Sequence, residues 1–238
     1  MTNPSNPHTS AAPEVRIIDA SRPDAAPFNP ADGVIAIYVL PLEASAATPR
    51  RQAELAAERA ILERAFPCGP APEISHRDDG SPSLCGADAE ISVSHDRSRA
   101  AIALAPAGME IGLDIESADR TAQLEKVAEI FLDERERRFC LPPSGGAFSI
   151  LHPVSTGERF CYLVQAWVTK EALYKLARRP GWELRQIPLP YPMPLPGSAA
   201  ASPWAPAGNG SFLTSYFRFR EPDAMMCVAV KGNFSAAD

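Results

Sequence analysis

Two short stretches of the sequence hold residue types that work together on phosphate. Asp114-Ile115-Glu116 sits in a run of strand-forming residues. Side chains two apart on a strand share a face, so both carboxylates converge while Ile115 enters the core. Further on, Trp167, Lys170, Glu171, Tyr174 and Lys175 share one side of a helix at 3.6 residues per turn. A stripe mixing an aromatic ring, two amines and a carboxylate is poor core material. Each stretch alone also fits a plainer reading: a solvated strand end for the first, and a partly exposed helix with a Glu171 to Lys175 pair for the second. Together they supply three carboxylates with lysines beside them. Magnesium takes oxygen ligands in octahedral geometry and keeps positions open for substrate phosphates. The expectation is a Mg²⁺ site on Asp114, Glu116 and Glu171, with Lys175 neutralising a pyrophosphate.

The bulk properties narrow the partners. The chain has 238 residues, 45% of them hydrophobic, enough for one large domain or two small ones. Its formal net charge of -6 argues against a nucleic-acid binder, which needs clustered Lys and Arg to release counterions. Cys68, Cys85, Cys140, Cys161 and Cys227 are odd in number, scattered and never in a C-x-x-C pair. Neither a disulfide framework nor a zinc knuckle is indicated, and a reducing cytoplasm fits. The first residues lack the basic and apolar regions of an export signal, and no stretch approaches the roughly 20 apolar residues of a membrane span. A soluble, cytoplasmic protein with no membrane partner is expected.

The elements that must position the acids follow from composition. Residues 1–32, rich in Pro, Ala, Asn and Ser with one apolar patch around Ile17, read as a disordered tail. Residues 33–40 read as a strand, and 51–66 as a long helix with Thr48 able to cap it and Pro49 in its first turn. A turn and short strand at 77–86 and an alternating strand at 90–94 lead to His95. Residues 100–105 and 110–115, separated by Pro106 and Gly108, suggest a hairpin ending at the two acids. Helical composition recurs at 121–130, 133–139 and 161–178, and two strands at 211–219 and 225–230 close the chain. The fold expected is α/β (α+β), divided into a tail at 1–32, an N-terminal lobe at 33–110 and a C-terminal lobe with the metal site at 111–238.

The order GSPSL, SVSH, IGLDIE, FLDERE and WVTKEALYK resembles the two-lobed, Sfp-type 4′-phosphopantetheinyl transferases. The resemblance runs from about Gly33 to Gly232. It implies a pseudo-dimer of two similar lobes, each a small, mainly antiparallel sheet packed with a long helix, with coenzyme A and Mg²⁺ in the cleft between them. It implies transfer of the phosphopantetheine arm of coenzyme A to a serine of an acyl or peptidyl carrier protein, with release of 3′,5′-ADP. By the same resemblance Asp114, Glu116 and Glu171 are the metal ligands. Lys175 contacts the pyrophosphate, with Lys170 in the same signature and Trp167 as an anchor. Ser94 and His95 contact the coenzyme A phosphates, Arg59 grips the 3′-phosphate, and Glu136 rather than Glu134 is the general base. A monomer is the simplest expectation. Gly80-Ser81-Pro82 departs from the family's Gly-Lys-Pro, and residues 141–160 are longer than in compact relatives. Two other readings stay open: a Mg²⁺-dependent enzyme that cleaves a nucleotide pyrophosphate without a carrier, and a binding module that has lost chemistry.

Overall fold

The computed structural model describes residues 12–43, 48–141, 156–178, 181–190, 193, 199–202, 211–220 and 223–232. In chain order these form β1 (Val15–Asp19), β2 (Ile35–Pro41), α1 (Arg50–Ala65), β3 (Glu73–His76), β4 (Pro82–Cys85), β5 (Ala89–His95), β6 (Arg99–Pro106) and β7 (Ile111–Ser117). They continue with α2 (Thr121–Lys126), α3 (Ala128–Phe131), α4 (Glu134–Cys140), α5 (Thr156–Ala177), β8 (Ala199–Ser202), β9 (Ser211–Arg220) and β10 (Asp223–Gly232). The chain is a mixed α/β protein with three small sheets and five helices among the described residues.

Alternation along the strands sets the layers. One sheet runs β1-β2-β6-β5, the other β7-β10-β9-β8, and β3 pairs with β4 as a separate hairpin. Ile35, Ile37, Val39, Ala101 and Ala103 face Leu113, Ile115, Met226 and Val228, so the two larger sheets share one apolar core. The opposite face of the first sheet, with Tyr38, Ile102 and Leu104, takes Ile61 and Leu62 of α1. The opposite face of the second, with Tyr216, Met225 and Cys227, takes Leu163, Val164, Val168 and Leu173 of α5. Strands that bury both faces are usually near-continuous apolar runs, yet every residue of β7 is buried, its two acids included.

The edges of the two larger sheets meet through hydroxyls instead of a backbone ladder. Ser92 Oγ accepts from Leu113 N at 2.9 Å, and Ser94 Oγ accepts from Ile115 N at 3.2 Å. Two side chains of β5 thus satisfy the free edge of β7, which would otherwise leave buried N–H groups unpaired.

Three expectations change. The hairpin at 100–115 is absent: β6 pairs with β2 and β5, whereas β7 pairs with β10. Pro106 and Gly108 do reverse the chain, Gly108 at φ +82°, but the reversal carries it from one sheet to the other. Residues 12–32 are not a tail, since β1 pairs in parallel with β2 and both Ala20 and Phe28 are buried. Residues 1–11 lie outside the described set. Thr48 is not the N-cap of α1; Pro49 holds that position without a side-chain cap bond.

Two similar lobes are not evident. Each large sheet carries one long helix, but the first contains a parallel pair and the second is antiparallel throughout. No helix among the described residues is long and apolar enough to cross a membrane. Cys68, Cys85, Cys140 and Cys227 are all free thiols.

Candidate functional site

β7 and α5 place the three acids. Gly112, Asp114 and Glu116 lie on the face of β7 opposite Leu113 and Ile115, and this face meets α5. A Cβ at Gly112 would overlap the Ala172 carbonyl oxygen and stand 2.7 Å from Leu176 N. Only glycine allows so close an approach, and it brings Glu171 and Lys175 down to Asp114 two residues on. Lys175 Nζ donates to Asp114 Oδ1 at 2.7 Å and to Leu113 O at 2.9 Å. Ser94 Oγ donates to the same Asp114 oxygen at 2.8 Å. Ser94 therefore joins the acid cluster directly.

Glu116 is buried and ion-paired with Arg120, four residues on. Burial pushes its pKa up, and the Arg120 charge opposes this without cancelling it. Glu171 has neither a hydrogen bond nor an ion pair among the described residues. Burial, then the Asp114 charge, raise it to about 7, with Lys175 opposing and Glu116 adding to the rise. Three carboxylates thus share two local cations. A buried surplus of negative charge is the donor chemistry that a hard dication satisfies, and Asp114, Glu116 and Glu171 fit Mg²⁺ in that sense. They are not closed around a common point. Among the described residues, no three His, Cys, Asp or Glu side chains are gathered closely enough to hold one ion.

The α5 stripe divides. Trp167 packs edge-on against Phe131, with ring centroids 5.0 Å apart, and fixes α5 against α3. Tyr174 is exposed. Lys170 is fully buried and turns away from Asp114, with Nζ 2.7 Å from Glu136 Oε2 and donating to Ile187 O at 2.6 Å. Burial drives its pKa down, against the pull of Glu136. Glu136 also completes a capping box with Asp133, accepting from Asp133 N at 3.0 Å. Its other oxygen accepts from Leu189 N at 3.0 Å. Lys170 and Glu136 are therefore brought together, apart from the acid trio. Glu136 still lines a hollow of about 110 Å³ with Arg135, Phe139 and Met193. Glu134 is exposed and paired with Arg138.

His95 ends β5 beside α1. The α1 side chain it meets is Glu58, not Arg59, because adjacent helix positions point about 100° apart. Nε2 lies 3.0 Å from Glu58 Oε1 and is sealed from solvent, but the angle is not that of a hydrogen bond. Arg59 is exposed and paired with Glu63 at 2.9 Å, so the structure does not bring it to Ser94 and His95. Burial pushes the Cys140 thiol up to about 12, which removes it as a nucleophile at neutral pH.

Beside the acids opens a cleft of about 260 Å³. Its walls are the turn at Asp79 to Pro82, the β5 residues Ser92 and Val93, Ile111 of β7, and Tyr174, Lys175 and Arg178 at the end of α5. Arg178 Nη2 and Arg77 Nη2 both bind Glu90 Oε2, at 2.8 and 3.1 Å. Sequence reasoning missed Arg120, Arg178, Arg77, Glu90 and Glu58. Only Arg120 left a signal, its spacing of four from Glu116. Residues 142–155 of the long connection lie outside the described residues.

No protein-family model matches the chain, and no curated protein sequence matches it.

Proposed function

We propose that the chain is a Mg²⁺-dependent 4′-phosphopantetheinyl transferase that moves the phosphopantetheine group of coenzyme A to a carrier-protein serine and releases 3′,5′-ADP. One observation carries this reading. The 260 Å³ cleft has Lys175 in its wall, and that lysine is bonded to the first of three mutually repelling acids. A cleft walled by one amine and one guanidinium, whose amine bonds the first acid of a hard-cation donor set, suits a pyrophosphate linking a nucleotide to a second group. The ordered motifs give that second group its identity. In this reading the two sheet-plus-helix halves are the two lobes, and the cleft lies at their seam.

Asp114, Glu116 and Glu171 would hold Mg²⁺, which when bound supplies electrophilic stabilisation of the pyrophosphate oxygens. The carrier serine oxygen forms its bond to the β-phosphorus as the bond to the bridging oxygen breaks. Lys175 neutralises charge developing on the departing 3′,5′-ADP. The serine proton passes to Glu136, which borders the second hollow and must release one of its present donors to accept it. Ser94 acts through Asp114, to which its hydroxyl donates, and His95 follows it at the end of β5.

The test incubates an apo carrier protein with coenzyme A and Mg²⁺, with and without chelator, and reads the intact carrier mass. A chelator-sensitive gain of one phosphopantetheine group is expected. No gain across fatty-acid and peptide carriers, with coenzyme A binding intact, would favour a binding module without chemistry. That second reading has one observation behind it: Lys175 and Arg120 already occupy Asp114 and Glu116.

A further inference from the structure

Arg178 is the one non-glycine residue with a positive φ, +48°, among the described residues. It stands directly after α5, where a helix commonly ends on a left-handed glycine. A residue with a Cβ is disfavoured there, and such strain persists where the side chain has a task. The task is visible in the cleft. The Arg178 guanidinium forms part of the wall and is four-fifths buried, held at 2.8 Å by Glu90 Oε2. Arg77 binds the same oxygen and donates through Nη1 to Pro82 O at 2.7 Å, tying the guanidinium pair to the 79–82 turn. Both guanidiniums are bonded to Glu90, and the charge of Asp79, in the same wall, also acts on them. Asp79 is exposed and accepts from Ser81 N and Oγ at 2.8 and 2.6 Å, so water screens its charge more than that of the more buried Glu90. Lys175, in the same wall, is already paired with Asp114. Ser81 places a neutral hydroxyl in the turn, so the cations on this side are Arg77 and Arg178, of which Arg178 lines the cleft.

We infer that Arg178 is a ligand-binding residue of the cleft, its guanidinium taking a phosphate oxygen of the bound nucleotide while Glu90 fixes its orientation. The identity of the nucleotide rests on the coenzyme A reading. A planar guanidinium anchored on one edge by a carboxylate keeps its other N–H groups for a phosphate. A mere helix stop would be served better by glycine.

The experiment titrates the full chain, in Mg²⁺, with coenzyme A and with 3′,5′-ADP by calorimetry. Arg178→Gly relieves the backbone and removes the guanidinium; it is expected to keep the fold, read by circular dichroism, and to weaken both ligands on the order of tenfold or more. Arg178→Gln, which keeps a donor for Glu90, gives the same reading should the glycine variant not fold. Variants that bind both ligands as tightly as the wild type overturn the role of Arg178 and leave the coenzyme A reading standing. A wild type that binds neither ligand overturns that reading, and the inference with it.

Discussion

Glu171 is the residue whose environment is least satisfied. Asp114 has Lys175 and Glu116 has Arg120, but no cation is bonded to Glu171 among the described residues. Its pKa, raised by burial and by Asp114 to about 7 from an ordinary 4.5, means that the folded chain holds the proton more tightly than the unfolded chain. The stability from that proton is complete below about pH 4.5 and is lost as pH rises through about 7. Tm should therefore fall between pH 6 and 8, and Glu171→Gln should remove much of the fall. Millimolar Mg²⁺ should restore Tm at pH 8 in the wild type and not in the variant, since the dication takes the proton's place. A Tm that ignores Glu171→Gln across this range would put the surplus charge elsewhere. In the transfer assay the same variant should lose at least ~10²-fold in rate, the scale of one preorganised electrostatic contact.

Between elements, the β7 and α5 contact decides whether a site exists. Gly112→Ala places a methyl group against the Ala172 carbonyl, and neither backbone can yield cheaply. Overpacking of a core commonly costs about 1–3 kcal/mol, and backbone against backbone should reach or exceed the upper end. Denaturant melts would measure that loss, and Mg²⁺-dependent stabilisation should vanish with it as Asp114 and Glu171 separate. The α4 and α5 contact rests on Lys170 and Glu136 in the same way. Lys170→Met removes the cation paired with Glu136, which keeps its Asp133 and Leu189 N–H donors, and should cost about 3 kcal/mol, the lower end for a broken buried pair. A Lys170→Met chain with native stability but no turnover would return Lys170 to the chemistry. These contacts mark what could be read from the sequence. The period of two in DIE put both acids on one face correctly, and the long helices and most strands declared themselves through apolar runs and breakers. The pairing of Lys170 with Glu136 could not be read, because the two are far apart in sequence and helical periodicity cannot say which edge of a stripe finds a counter-ion. β1 was hidden because five residues in a Pro-rich stretch become a strand only by pairing with β2. Pro106 and Gly108 announced a reversal but not the change of sheet that follows it.

Across the whole molecule, the cleft belongs to neither sheet alone. Its floor uses β5 from the edge of one sheet and β7 from the edge of the other, and Ser92 and Ser94 stitch the two edges. Behind them Ile35, Ile37 and Val39 pack on Leu113, Ile115 and Val228 in one continuous core. A shared core of this kind makes the two sheets unfold together, because exposing one inner face exposes the other. A ligand seated in the cleft should then stabilise both halves equally. At a free concentration 100 times its Kd, a ligand adds about 2.7 kcal/mol. At about 2–4 °C per kcal/mol for a chain of this size, coenzyme A should move a single calorimetric transition upward by roughly 5–10 °C. Deletion of residues 1–20 should lower the same transition without splitting it, since β1 covers only the outer edge of the first sheet. Two transitions, with only one shifted by coenzyme A, would mean that the sheets fold separately and that the cleft is carried by one of them.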